Sequence, residues 1–330
     1  MSVKQHSLRL RFLLTGLLLF AGLPGAACAQ TGQSGTEVAK SRIDASRMLK
    51  DLEFLASDEL GGRRAGTPGN ARAREYLVEG FRSAGLQPLA GSYTQEFTFR
   101  GRRDSTEYQG TNVVGYITGT REPERYIVVT AHFDHLGIGR PDERGDSIYN
   151  GADDNAAGAA ALLALARYLR AHPPSHSVVF VAFDAEEHGL QGARAFVAKA
   201  PIPMESVVIN LNMDMISRND RNELYAVGTR HYPFLKPYVE RVAARSGIKL
   251  LMGHDSGDPR TEDWTNASDH GAFHARGIPF LYFGVEDHAD YHKPSDEFAR
   301  IHPEFYKSAV ETILDLLLEV DAQPPARPAK

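Results

Sequence analysis

The chain has 330 residues, 42% of them hydrophobic, with 37 basic against 42 acidic side chains. That length suffices for one large α/β core, and the acidic balance argues against a nucleic-acid groove or adhesion to an anionic membrane. Its one cysteine, Cys28, excludes an internal disulfide and any thiolate metal cluster, so a metal would have to be held by His, Asp and Glu.

The first residues read as an export signal. Lys4, Arg9 and Arg11 form a basic start, and residues 12–21 are an apolar stretch too short to span a bilayer. Ala27-Cys28-Ala29 is a small-x-small cleavage site that would leave Gln30 as the first mature residue and place the protein in the periplasm or outside the cell. A lipid anchor at Cys28 is the second reading, set back by Gly25 where a larger apolar residue is the rule. Cleavage at Ala29 leaves 34 basic and 42 acidic residues, a net charge of −8, and no membrane contact in the mature form. Residues 30–43 read as a flexible leader, 44–320 as one catalytic domain, and the proline-bearing residues 321–330 as a disordered tail.

Apolar spacing predicts helices over 43–56 (Leu49, Leu52, Leu55) and 70–84 (Ala73, Tyr76, Leu77, Phe81), with a turn-rich loop at 61–69 between them. Strands follow at 93–99, 112–118 and 126–131, the last a short β-branched run suited to a buried parallel strand. Next come a helix over 156–169, a strand over 178–183, a helix over 191–198 and a strand over 207–212. The pattern closes with a helix at 233–246, strands at 248–251 and 280–283, and a helix over 303–320. The alternation predicts an α/β fold: a mixed, largely parallel central sheet with helices on both faces. Ligands of such sheets bind outside the carboxyl ends of the strands.

The candidate functional residues lie there. His132 ends a strand in Ala131-His132-Phe133-Asp134, and Asp134 is placed to accept its other ring proton. Gly151-Ala152-Asp153-Asp154-Asn155 precedes a helix. It reads as an N-cap cluster, yet it holds more acids than capping needs. Glu186 and Glu187 leave a buried strand together, which is costly unless they are neutralised. One would bind metal and the other act as general base, and the sequence leaves open which. Asp214 follows a further strand, and His292 lies in the loop Asp290-Tyr291-His292-Lys293-Pro294. This is the ligand inventory of a two-metal hydrolytic site.

The set His-x-Asp, Gly-Ala-Asp-Asp-Asn, Glu-Glu, Asn-x-Asp-Met and Tyr-His-x-Pro-x-Asp resembles the co-catalytic zinc exopeptidase family. That family holds secreted bacterial leucine-type aminopeptidases, glutamate carboxypeptidase II, the glutaminyl cyclases and the transferrin receptor ectodomain. The segment from Leu60 to Asn70 is similar to the family's leading segment, and the match runs from Asp44 to Val320. The resemblance implies the zinc exopeptidase fold and two Zn2+ per chain. It implies that His132 and Asp214 hold one ion, Glu187 and His292 the other, and Asp153 both, with a cis Asp153–Asp154 peptide. Glu186 becomes the general base, and Tyr291 stands where some relatives have a tyrosine that hydrogen-bonds the tetrahedral intermediate. Ser268-Asp269-His270 matches a further family segment and reads as support behind the site.

Glutaminyl cyclases use one zinc and the transferrin receptor has lost ligands, whereas this chain keeps all five ligands and the base. The resulting expectation is an exported dinuclear zinc aminopeptidase acting on peptides with a free N-terminus. A carboxypeptidase or dipeptidase on the same site is the first alternative. It needs a cationic clamp, for which Arg218, Arg221, Arg230 and Arg260 are available. A non-catalytic receptor-type domain is the second, opposed by the intact Glu186 and ligands.

Overall fold

The buried runs of valine, isoleucine and phenylalanine assemble into one nine-stranded sheet. A computed structural model describes residues 41–101 and 106–325. The expected signal segment, its cleavage site, Cys28 and most of the leader and tail lie outside the described residues. In chain order the elements are α1 (Ala45–Leu55), α2 (Pro68–Ser83), β1 (Gln87–Pro88), β2 (Thr94–Arg100), β3 (Glu107–Ile117) and β4 (Glu122–His132). A small hairpin of β5 (Gly137–Ile138) and β6 (Ile148–Tyr149) follows, then α3 (Gly158–Ala171), β7 (His176–Phe183), α4 (Gln191–Ala198) and β8 (Val207–Met213). The chain ends with β9 (Glu223–Val227), α5 (Lys236–Ala243), β10 (Lys249–Leu251), α6 (His270–His274), β11 (Phe280–Gly284) and α7 (Pro303–Ala322).

The sheet order is β1-β3-β7-β4-β8-β11-β9-β10, with β2 paired to β3. Its centre is parallel: β7, β4, β8 and β11 run side by side in one direction. The flanks are antiparallel, through β3 on β7 and β9 on β11. The mixed, largely parallel sheet therefore stands as expected. Every residue of β7 and β8 is buried, because helices cover both faces and leave no solvent side to alternate toward.

Successive strand residues point to opposite faces, and the core divides accordingly. Ile127, Val129, Val178 and Phe180 join α1, α2, α3, α5 and α7 in one cluster. Val128, Val179, Val181 and Phe183 join α4 and α6 in the other. The parallel strands bring four carboxyl ends, at His132, Phe183, Met213 and Gly284, to one edge of the sheet.

Two details depart from the sequence reading. Residues 41–43, expected in the flexible leader, are tied to α7: Ser41 Oγ donates to Glu311 at 2.5 Å, Arg42 pairs with Asp315 at 2.7 Å, and Ile43 is buried. The tail's first residues, Asp321 and Ala322, continue α7. The Asp321 carboxylate accepts from the Ser175 and His176 backbone N–H groups at 2.8 Å, and this fastens the helix end to the start of β7.

Candidate active site

His132 closes β4 with its ring buried. Its Nε2 lies 3.2 Å from Asp214 Oδ1 and 3.4 Å from Asp154 Oδ1. The Nδ1–H donates to the backbone carbonyl of Asp134 at 3.1 Å. The Asp134 carboxylate, expected to take that proton, lies 3.7 Å away, too far for a hydrogen bond. It accepts instead from the Glu186 N–H at 2.9 Å and the Glu187 N–H at 3.4 Å. Asp134 thus fastens the turn after β7, which Ala185 enters at φ 58°, and sets where both glutamates emerge.

The two adjacent aspartates have different fates. Asp153 was expected between the metal positions, and it is not there. Its Oδ1 accepts from both the N–H and the Oγ–H of Ser217 at 2.7 Å, and its Oδ2 faces His288 Nε2 at 3.1 Å. The carboxylate between the histidines is Asp154, with Oδ1 toward His132 and Oδ2 3.1 Å from His292 Nε2. The cis peptide accordingly falls at Asp154–Asn155, one residue later than expected. The cause is the anchoring of the loop. Asp296 accepts from the Asp153 N–H at 3.0 Å and the Asp154 N–H at 3.1 Å, while Asn155 donates to the Met213 carbonyl at 2.9 Å. These bonds fix the frame so that the second aspartate faces the cavity. Burial, and then the neighbouring Asp153, push the Asp296 carboxyl up to about 6, against the two N–H groups it accepts from.

On the other side, Glu187 Oε2 lies 3.6 Å from His292 Nε2, and its Oε1 lies 2.8 Å from His135 Nδ1. Tyr291 stacks on His292 with ring centroids 3.9 Å apart. Burial, followed by the Asp154 and Asp214 charges, raises the Tyr291 pKa, so the phenol keeps its proton and is a hydrogen-bond donor. Burial first, then the Asp269, Glu187 and Asp214 carboxylates, hold the Glu186 carboxyl well above its usual range, against the opposing His132.

His132, Asp154, Glu186, Glu187, Asp214, Tyr291 and His292 line one cavity of about 210 Å3, walled further by Met215, Glu262, Trp264, Tyr282 and Asp287. The Trp264 ring is held by a stack on His254 at 3.5 Å. Among the described residues lining the cavity none is Lys or Arg. The four arginines considered as clamps are elsewhere. Arg218 pairs with Asp290, Arg221 with Glu223 and Arg260 with Asp258, and Arg230 lies beside Gly257.

Several contributors escaped the sequence reading. His135, one residue past Asp134, was visible in His-Phe-Asp-His but had no assigned part. Ser217 and His288 act on the aspartate loop from other elements, and nothing local marks them, whereas Asp296 closes the Tyr-His-x-Pro-x-Asp motif but had no assigned part. Arg63 is fully buried behind the site. It donates to the carbonyls of Phe133 at 2.8 Å, Leu55 at 2.5 Å, Asn150 at 2.6 Å and Gly151 at 3.0 Å. Burial lowers its pKa to about 10, opposed by Asp154, Asp134, Asp296 and Glu187, so it remains a cation at neutral pH. This explains the glycine pair before it: Gly61, Gly62 and Arg63 all have positive φ, and a Cβ on Gly62 would sit 2.5 Å from the Tyr149 carbonyl oxygen.

The donors suit a metal. His132, Asp154 and Asp214 form one group of converging ligand atoms, and His135, Asp154 and Glu187 form another, with atoms within 4.8 Å in each. Asp154 belongs to both. Among the described residues the buried Glu187 Oε1 has no hydrogen-bond partner, which is costly in the absence of a cation. Imidazole nitrogen and carboxylate oxygen are a zinc donor set.

The fold and the converging donors together have the form of an α/β metal site at the carboxyl ends of parallel strands. The chain belongs to peptidase family M28, whose sequence model matches residues 112–317. It is 29% identical over 202 residues to a glutamate carboxypeptidase 2 homolog of Caenorhabditis briggsae, covering 54% of this chain and 24% of that protein. It is 29% identical over 236 residues to a probable zinc metalloprotease of Leptosphaeria maculans, covering 68% and 53%. The chain thus spans about a quarter to about half the length of these curated relatives. Among solved structures, BSAP, a zinc aminopeptidase from Bacillus subtilis, superposes with a TM-score of 0.69 at 17% identity, over 84% of this chain and 95% of that one. Fimbriiglobus ruber glutaminyl cyclase gives 0.69 at 24% identity with the same coverage. Both show the shared zinc exopeptidase fold.

Proposed function

We propose that this chain is a two-zinc aminopeptidase that removes the N-terminal residue of peptides. The observation that carries the reading is the charge of the cavity. Asp154, Glu186, Glu187, Asp214, Glu262 and Asp287 line it, with no lysine or arginine among the described lining residues. Such a pocket attracts an α-ammonium group and repels a C-terminal carboxylate.

His132 and Asp214 would hold one zinc, Glu187 and His292 the other, and Asp154 both. Bound zinc supplies Lewis-acid activation of the scissile carbonyl and of water. Glu186 takes the proton of the attacking water on its carboxylate and returns it to the leaving amine. The Tyr291 hydroxyl donates to the oxygen that becomes negative as the carbonyl is attacked. Glu262 and Asp287 line the same cavity, and they steer the substrate amine inward.

The test is a panel of amino-acid p-nitroanilides beside N-acetylated peptides and peptides with acidic C-termini. Cleavage of free-amine substrates, lost on acetylation, supports the reading. Release of C-terminal residues from blocked peptides moves the assignment to a carboxypeptidase, and cyclisation of N-terminal glutamine without hydrolysis moves it to a glutaminyl cyclase. Export is part of the proposal and rests on residues 4–29 of the sequence. N-terminal sequencing of the mature protein from its host, expected to begin at Gln30, checks it.

A further inference from the structure

We infer that His135 is a ligand of the second metal position, through Nδ1, beside Glu187, His292 and Asp154. The inference rests on the two-zinc reading above and goes beyond the five ligands that reading uses.

His135 is buried, and neither ring nitrogen has a hydrogen-bond partner among the described residues. Its Nδ1 lies 2.8 Å from Glu187 Oε1 and 3.7 Å from Asp154 Oδ2. At 2.8 Å a ring N–H aimed at the carboxylate would be a strong hydrogen bond. No such bond forms, and Glu187 Oε1 is itself buried without a partner. Two polar atoms therefore sit at contact distance with neither satisfying the other. Leaving each unmade costs about 1–3 kcal/mol, and one cation accepting a lone pair from both removes that cost.

The spacing fits. Donors at about 2.0–2.1 Å from a tetrahedral zinc stand roughly 3.3 Å apart. Around this position the donor separations are 2.8 and 3.7 Å for His135, with 3.1 and 3.6 Å for His292 to Asp154 and Glu187. The ring is also seated for the task. The Gly151 backbone lies against it, where an added Cβ would fall 2.6 Å from the imidazole, and Gly151 is tied to Arg63 through its carbonyl.

The two metal positions are then unequal. His132, Asp154 and Asp214 offer one imidazole and two carboxylates. His135, His292, Asp154 and Glu187 offer two of each kind. Three protein ligands leave an open place on the first ion, whereas four nearly close the second, the pattern that separates catalytic from structural zinc. The second ion should load first and leave last.

The decisive measurement uses the unaltered protein, labelled with 15N in histidine and loaded with 113Cd in place of zinc. Three imidazoles, those of His132, His135 and His292, are expected to show metal-coupled ring nitrogens. Coupling to two only overturns the assignment of His135 while leaving the two-metal reading intact, and coupling to none overturns both. In a second arm, His135→Ala should weaken the tighter zinc at least 100-fold, measured by competition with a chelator. It should also change the visible spectrum of the cobalt-loaded protein. A loss of affinity within the 10–100-fold typical of a supporting contact, with an unchanged cobalt spectrum, would show that His135 only orients Glu187 and would overturn the ligand assignment.

Discussion

At the scale of single residues, the adjacent acids carry the sharpest lesson. Asp153 and Asp154 are chemically identical and one peptide apart, yet one faces Ser217 and His288 and the other faces the cavity. Asp154→Asn should therefore lower zinc content from two ions toward one or none, as elemental analysis will show. Asp153→Asn should keep both ions and act through stability, because it removes the charge that faces His288 and turns one of the two acceptor oxygens into an amide donor, while the other can still accept from Ser217. Equal zinc loss in both variants would contradict this division. The glutamates divide likewise. Glu186→Gln keeps the shape and removes the base, so turnover should fall about 10²–10⁴-fold with the zinc count unchanged. Both glutamates were legible as a pair leaving a strand. Which one faces which partner was not, because the Asp134 carboxylate that orients them comes from a different strand.

At the scale of elements, the segment from β10 to β11 builds the far wall of the cavity. It is a loop broken only by short turns and α6, held by the Trp264–His254 stack and by Asp255, which accepts from Gly228 N–H at 2.8 Å and Arg230 N–H at 3.0 Å. Glu262 belongs to it, and Asp287 lies beyond β11. If the chain is the aminopeptidase proposed above, replacing both with their amides should raise KM for free-amine substrates several-fold and leave kcat nearly unchanged, since in that reading they attract the ammonium and do not touch the reacting bond. Initial-rate kinetics decide this, and an unchanged KM would remove them from substrate binding.

The same segment carries a pH liability. His270 at the start of α6 is fully buried, and its Nε2–H donates to the Trp264 carbonyl at 2.8 Å. Among the described residues its Nδ1 has no hydrogen-bond partner, and burial lowers its pKa to about 3. Below an ordinary pKa of about 6.5 the unfolded chain binds a proton that the folded one refuses, so stability falls as pH drops from about 6.5 toward 3. At pH 5 the loss from this group is about 2 kcal/mol. Urea unfolding at pH 7 and pH 5 should show that difference shrinking by a similar amount in His270→Gln, although that variant is less stable at pH 7.

At the scale of the whole molecule, four parallel strands and one buried arginine converge on a pocket crowded with carboxylates, and a cation bound there is expected to stabilise the folded state. Chelation should abolish peptidase activity and lower the melting temperature, and zinc should restore both. Zinc at about 100 times its dissociation constant stabilises by roughly 2.7 kcal/mol per site, or about 5–10 °C for a domain of this size. Calorimetry with and without chelator measures it, and an unchanged melting temperature would separate the metal from folding.

Much of this was readable without coordinates. The apolar runs of β4, β7, β8 and β11, β-branched in the first three and aromatic in the last, had to be buried strands, the alanine- and leucine-rich stretch after Asn155 had to be a helix, and alternation of the two made the centre of the sheet parallel. The strand-following acids and His132 had to meet at one edge. Periodicity and local composition are properties of a single segment, and a sequence displays them directly. It does not display which of two neighbouring carboxylates turns inward, that β9 lies antiparallel to β11, that Arg63 is folded beneath the site, or that His135 joins the second group of donors. Each of those depends on contacts between residues about 50 to 150 positions apart in the chain, and only the tertiary structure closes such distances.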